Sequence, residues 1–317
     1  MLGDSGTDES GVEPEGQEQR YGRGNTPRID AQVAGLSRVP CGSVGLERTA
    51  RDACSMRDSP DSAPRISAAI ICKDEADHIE ECLRSVAWCD EVIVVDSGST
   101  DGTVEKAQRY ATRVVHHPWD GFVAQKNFAL SLATGEWIFC LDADERCTPA
   151  LRDAIRRELA APGEAVGFEV RRHTFYLGRW INHGGWYPDR KLRIVRRARG
   201  RWGGIDPHDR LCADGPVRRI EDDLEHYTYH DFAEQLESVQ QFSDVVSTEW
   251  LREGRRFSLT LAIVHPPVKF LECWLWKLGL LDGWPGFVIA ATSAFYVLAK
   301  HVKLWERSRG ARDLPPS

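Results

Sequence analysis

The chain predicts an α/β fold: a doubly wound, mostly parallel sheet. Three observations carry that expectation. Short apolar runs bounded by turn residues, at Ile66–Cys72, Glu91–Asp96 and Trp137–Asp142, read as strands buried on both faces. Helical patterns separate them, which implies right-handed crossovers between parallel neighbours. Two of the runs pass directly into carboxylates, and in open sheets of this kind ligands bind outside the carboxyl ends of the strands.

Taken in order, residues 1–64 are rich in Gly, Ser, Pro and charged residues and show no periodicity, so they are expected to be disordered. Strand character begins at Ile66. A helix with Ile79, Cys82, Leu83 and Val86 on one face follows, with Asp77 and Glu80 spaced as a capping box. After the strand ending at Asp96 come a helix from about Thr103 to Tyr110, a short strand Arg113 to His116, and a helix carrying Ala124, Phe128 and Leu132. The strand ending at Asp142 completes four alternations. Thr148 and Pro149 suit the cap and first turn of another helix, with Leu151, Ala154, Ile155 and Leu159 inward. Tracts 167–177 and 191–197 alternate like strands across a Gly/Trp/Tyr-rich loop, Gly178 to Asp189, and a helix is expected over Phe232 to Arg252.

The stretch Pro266 to Trp305 is dense in Trp, Phe and Leu, with Lys269, Lys277, Lys300, Lys303 and Arg307 among them. Its longest uncharged run, Gly283 to Ala299, is at the lower limit for a membrane span and contains Pro285, Thr292 and Ser293. A segment lying in the bilayer surface fits it better, with aromatic residues at headgroup level. The plainer alternative is a helical subdomain packed on the α/β core. Residues 65–232 thus form the expected α/β domain and 233–317 an amphipathic helical region.

A formal net charge of −7 argues against general nucleic-acid binding. Nine cysteines without C-x-x-C pairs read as reduced thiols of a cytosolic protein, not a disulfide framework. No basic and apolar leader opens the chain, so a signal peptide is not expected.

Two clusters hold the chemistry: Asp96-Ser97-Gly98-Ser99-Thr100-Asp101-Gly102-Thr103 and Asp142-Ala143-Asp144-Glu145, each at the end of an apolar strand. Carboxylates so placed suit a divalent cation, which in turn suits phosphate. With Ile71-Cys72-Lys73-Asp74-Glu75-Ala76 and Gln125-Lys126-Asn127, these motifs resemble the inverting family 2 glycosyltransferases of GT-A fold. Gly184-Gly185-Trp186-Tyr187-Pro188-Asp189, the Arg193 tract and Leu281-Asp282-Gly283-Trp284-Pro285-Gly286-Phe287 are similar to the branch containing lipopolysaccharide inner-core β-1,4-glucosyltransferases. The resemblance spans about residues 65 to 305.

It implies transfer of a sugar, glucose from UDP-glucose in that branch, to a lipopolysaccharide-core or other glycan or lipid acceptor. The setting it implies is the cytoplasmic face of an inner membrane. It assigns nucleotide-sugar contacts to Lys73, Asp74, Glu75, Asp96, Lys126, Asp142 and Arg193, with Lys73 and Asp74 departing from the family's usual Tyr-Asn. Asp142 and Asp144 would hold Mg²⁺ or Mn²⁺, with Asp144 the direct ligand. Asp209 is the expected base and Asp222, with Asp223 beside it, the runner-up. Asp96 has an alternative reading as a turn former bonding to the amides that follow it, and Asp142 and Asp144 one as helix-start decoration. Arg190, Lys191, Arg193, Arg196, Arg197, Arg199 and Arg201 form a basic stretch that would receive an anionic acceptor or edge a strand. His173, His183, His226, Tyr227 and His230 show no metal spacing and read as acceptor-lining or packing residues. Two other readings remain: a nucleotidyltransferase, which would carry a Gly-rich basic loop absent at Lys73–Ala76, and an inactive scaffold, which would have lost one of the paired aspartates.

Overall fold

The computed structural model describes residues 63–205 and 208–309; all but the last two residues of the expected disordered extension lie outside them. Strands β1 (Ile66–Cys72), β2 (Glu91–Asp96), β3 (Arg113–His116) and β4 (Trp137–Asp142) alternate with helices α1 (Ile79–Ser85), α2 (Thr103–Ala107) and α3 (Phe122–Leu132). The four strands are parallel in the order β3-β2-β1-β4. Every residue of β1 is buried, as a strand covered on both faces requires.

The remaining strands are β5 (Glu145–Cys147), β6 (Gly167–Tyr176), β7 (Arg179–Trp180), β8 (Asp189–Arg196), β9 (Gly200–Ile205), β10 (His208–Ala213) and β11 (Val217–Tyr227). They extend the sheet as β4-β8-β6-β11-β5, with β8 antiparallel to both neighbours and β5 antiparallel to β11. Only Ala143 and Asp144 separate β4 from β5, yet these strands are at opposite ends of that path. The sheet therefore curls back on itself. Strands β9 and β10 form a separate hairpin.

Two apolar layers hold the sheet. Phe139, Leu141, Phe168 and Val170 face Ile79, Leu83 and Ile155 of α1 and α4 (Pro149–Ala160). Ile71, Val95 and Cys140 face Ala129 and Leu130 of α3 and Trp202 and Leu211 of the hairpin. The Thr148 side chain accepts from Leu151 N, so the expected cap on α4 forms. The expected capping box on α1 does not. His78 occupies the cap position without a side-chain bond, and Asp77 makes none to that turn. Its first turn is held instead by Glu75 O, which accepts from the amides of His78 and Ile79.

Helix α5 (Phe232–Arg252) has the expected extent, and Asp231 caps it. Helix α6 (Leu259–Leu271), a π turn (Glu272–Trp276), a 3₁₀ turn (Gly279–Asp282) and α7 (Gly283–Arg309) complete the chain. Ile289 of α7 packs with Tyr176, Ile181, Trp186 and Tyr229. The Tyr176 hydroxyl donates to Gln235 at 2.5 Å, and Gln235 bonds Thr292 at 3.2 Å. The Gly178–Asp189 tract, expected as loop, contains the two-residue β7 paired with β6.

Candidate active site

Asp96 and Asp142 end the strands on either side of β1, paired in register with Cys72 and Ile71. They stand on one rim, two strand spacings or about 10 Å apart along the sheet. The carboxylate of Asp96 is 4% exposed and accepts from Gly98 N at 2.9 Å, Ser99 N at 3.2 Å and the Ser99 hydroxyl at 2.5 Å. In this structure it makes the turn itself. Asp74 is spent similarly: its φ is 53°, its amide donates to the Ser99 hydroxyl and its carboxylate accepts from Thr100 N at 2.8 Å. Glu75 N bonds the Thr103 hydroxyl, and Ala76 N bonds Asp101. Asp74, Glu75 and Ala76 are thereby laced to the loop after β2, which gives that end of the rim a fixed floor.

Two successive residues of α3 reach both strand ends. Gln125 donates to the Ser97 hydroxyl at 2.8 Å, beside Asp96. Lys126 places its ammonium 2.9 Å from Asp142 Oδ1 and 2.9 Å from Asp209 Oδ2, with the Trp202 ring 4.4 Å away. The two carboxylates therefore lie at most twice that distance apart. Burial opposes the charge on Lys126, but Asp142 and Asp209 outweigh it and raise its pKa. Asp209 reaches this point because the β9–β10 hairpin sets it opposite Gly204, under α3; Asp206 and Pro207, which precede it, lie outside the described residues.

Inside the curl of the sheet sits a second set of charges. Arg193, 4% exposed, donates to Asp142 Oδ2 at 2.7 Å and also to Glu145, and its Nε is buried with no acceptor. Arg172 bonds Asp189 at 2.8 Å and lies 4.0 Å from Glu145. Burial pushes Asp142 up, but Lys126 and Arg193 hold it far below the ordinary carboxylate range. Glu145, fully enclosed, is pushed the other way by burial, against the pull of Arg193. Buried charges persist only when paired in this manner. Of the basic stretch, Arg193 and Lys191 join this network, whereas Arg190, Arg196 and Arg199 pair outward with Glu221, Glu136 and Asp214.

Asp144 is 6% exposed and faces His226 of β11, with Nε2 3.3 Å from Asp144 Oδ2. The Thr174 hydroxyl lies 3.2 Å from His226 Nδ1, which leaves Nε2 for the carboxylate. His226 is thus a buried residue with a specific partner, Asp144. The sequence carried no sign of that pairing, because it joins residues on different strands. No group of three or more His, Cys, Asp and Glu residues is preassembled for a metal among the described residues. The Asp144–His226 pair nevertheless fits one, since adjacent ligands of an octahedral ion stand about 3 Å apart and Mg²⁺ or Mn²⁺ completes its shell with water and phosphate.

Asp222, the second candidate base, makes no side-chain hydrogen bond or ion pair with the described residues. Its neighbour Asp223 accepts from Arg171 Nε at 2.9 Å and the Tyr187 hydroxyl at 3.0 Å. The His173 ring packs at a tilt against Tyr187 and Trp180, with ring centroids 4.5 and 4.8 Å away. Of the two acids, Asp223 is the one built into a polar, aromatic-lined surface.

The curled sheet thus gathers acidic strand ends and a lysine-bridged pair of carboxylates at one site, the arrangement of an α/β enzyme that handles a charged ligand at its strand ends. Residues 67–220 match the model of glycosyl transferase family 2. The chain is 33% identical over 253 residues to the lipopolysaccharide core biosynthesis glycosyltransferase LpsC of Rhizobium meliloti, covering 76% of this chain and 92% of that one. An uncharacterized glycosyltransferase of Rickettsia typhi is 25% identical over 79% of this chain and 90% of its own. Among solved structures, the mannosyltransferase PcManGT of Pyrobaculum calidifontis, in complex with GDP-Man and Mn²⁺, aligns with a TM-score of 0.47 at 17% identity, over 78% of this chain and 88% of that one. The chain belongs to glycosyl transferase family 2, and the GT-A fold expected from the resemblance is the fold observed.

Proposed function

We propose that this glycosyltransferase is an inverting, metal-dependent hexosyltransferase. It takes glucose from UDP-glucose and adds it to a lipopolysaccharide-core or related glycan or lipid acceptor. Residues 65–232 form its catalytic domain, and residues 233–317 hold it at the cytoplasmic face of the inner membrane. The observation that carries the reading is the Lys126 bridge, which sets a strand-end carboxylate and a hairpin carboxylate around one cation. The LpsC relative supports the acceptor class.

Inversion needs one displacement, with a base on the acceptor side and charge neutralisation on the leaving-group side. Asp209 takes the proton of the acceptor hydroxyl, and Asp222 is the alternative. Lys126 and Arg193 offer positive charge to the donor diphosphate. A diphosphate arriving beside Asp142 competes for Lys126 and so leaves Asp209 free to face the acceptor. Lys73, Asp74, Glu75 and Asp96 border the nucleoside end. Asp144, with His226 beside it, and Asp142 once the arriving diphosphate has drawn Lys126 away, would hold Mg²⁺ or Mn²⁺, which supplies positive charge to the departing diphosphate.

The test is a thermal-shift screen of UDP- and GDP-sugars with and without Mn²⁺, followed by nucleoside diphosphate release. A donor at a hundred times its dissociation constant adds about 2.7 kcal/mol of stability. Binding of no sugar nucleotide under any metal condition would leave only the scaffold reading.

A further inference from the structure

Helix α6 contributes a single buried residue, Ala262, to the described structure. Its apolar side chains point outward: Leu259 is 65% and Ile263 64% exposed, with Val264, Val268 and Leu271 beside them. The turns that follow continue the same face through Leu275, Leu278 and Leu281, and end in Trp276 and Trp284, 73% and 70% exposed. Such a continuous apolar surface, with bare tryptophans at its tip, is not what water selects.

The stretch Gly279–Arg309, α7 with the turn before it, is long enough to cross a bilayer and includes an 18-residue window with a mean hydropathy of 1.3, but half of that window is buried within the fold. The contacts of that stretch decide between crossing and lying flat. Asp282, 1% exposed, accepts from the amides of Asn182 at 3.2 Å and His183 at 2.7 Å. Thr292 bonds Gln235, Arg307 reaches Asp244 at 2.7 Å, and Lys303 reaches Asp244 at 2.8 Å. Crossing a bilayer would strip each of these from its partner and carry Asp282 into hydrocarbon, where an unpaired carboxylate is expensive. Lying flat keeps them all.

We propose that the α6–turn–α7 elbow is an in-plane membrane anchor: it lays its outer face into the headgroup region of an anionic bilayer and does not span it. This sharpens, and rests on, the proposed work at a membrane surface. The occupant is lipid by charge as well as by polarity. Residues 255–309 hold eight Lys or Arg against three Asp or Glu; Lys303 and Arg307 serve Asp244 of α5, and the other six still outnumber the three acids, in a chain of formal net charge −7. Tryptophan at the tip and lysine around it is the composition of an interfacial segment. The anchor also grips the Gly184–Asp189 tract: Gly184 N donates to Lys277 O at 2.8 Å, and a side chain at Gly185 would strike the Lys277 stem. Docking therefore holds Tyr187, and with it the Asp223 surface, at a set height above the lipid.

The experiment is flotation of the full chain with vesicles of phosphatidylcholine alone and with phosphatidylglycerol added, beside alkaline carbonate extraction of cell membranes. The full chain is expected to float with the anionic vesicles, to do so less with rising salt, and to be released by carbonate. The double variant Trp276→Ser/Trp284→Ser is expected to lose about tenfold in partitioning with its melting temperature unchanged, since both side chains are exposed. Retention after carbonate would show a span and overturn the proposal. So would failure to float, or a dimer in sedimentation that the same variant dissociates, which would assign the face to a second copy. Sugar-nucleotide hydrolysis without vesicles is read in parallel: loss of that activity in a protein that floats sinks the catalytic reading alone, and hydrolysis by a protein that never floats sinks this one alone.

Discussion

Lys126 and Asp209 are 83 residues apart in sequence, and the ammonium of the first lies 2.9 Å from Oδ2 of the second. The same ammonium neutralises Asp142, so one α3 side chain couples the rim of the parallel sheet to a hairpin added much later in the chain. Their side chains are 10% and 5% exposed, which places the pair in the regime where losing one partner costs more than the pair contributes.

Lys126→Met should therefore destabilise the protein by about 3–5 kcal/mol, the range for a broken buried pair. Urea unfolding monitored by tryptophan fluorescence measures it. A change smaller than the scatter of the method would mean that Asp209 reaches water when its lysine is gone.

Asp209→Asn keeps the shape of the hairpin and removes the proton acceptor. Sugar transfer should fall by about 10²- to 10⁴-fold, with donor affinity nearly unchanged. Steady-state assays with saturating donor separate the two. Undiminished turnover would transfer the role to Asp222 or its neighbour Asp223.

His226→Ala should raise the Mn²⁺ concentration needed for half-maximal activity by about 10- to 100-fold, the scale at which loss of a supporting group weakens a metal site. His226 also touches the buried Thr174 hydroxyl, so a melting curve accompanies the titration. A metal requirement identical to that of the unaltered protein would limit His226 to a structural partner of Asp144.

The pH dependence of stability has a readable contribution from Lys300. Burial, then Lys269 and Arg255, bring its pKa down to about 8, against the attraction of the Trp250 and Tyr296 rings 4.9 Å away. In the unfolded chain it stays protonated to about pH 10. Between those values the unfolded state binds more protons, so this residue adds stability as pH rises from about 8 and adds no more above about 10. Lys300→Met should flatten that rise and stabilise the protein at pH 7 by about 1–3 kcal/mol. Unfolding curves at pH 7 and pH 10 decide it. A rise of the same size in the variant would assign it to other groups.

How much of this was legible in the sequence follows from the range of the interactions. Strands β1 to β4, helix α4 with its Thr148 cap and helix α5 could be read from the sequence, because burial on both faces, a side-chain cap and a helical stripe are local patterns. The placement of Asp96 and Asp142 on one rim followed from the same logic. The capping box expected at Asp77 and Glu80 does not form because the helix starts one residue later, at a His78 cap, and Glu75 O takes the amides of His78 and Ile79.

By itself, the amino-acid sequence determined the class of sheet, the identity of its acidic strand ends and the family to which the chain belongs. Only the tertiary structure decided which cation each acid meets: Lys126 for Asp142 and Asp209, Arg193 for Asp142 and Glu145, His226 for Asp144. It also decided which face of α6 and α7 the core leaves bare. The physical reason is distance along the chain. A strand or helix is selected by neighbours a few residues away, whereas a buried charge is stabilised by a partner that only the closing of the sheet brings into reach.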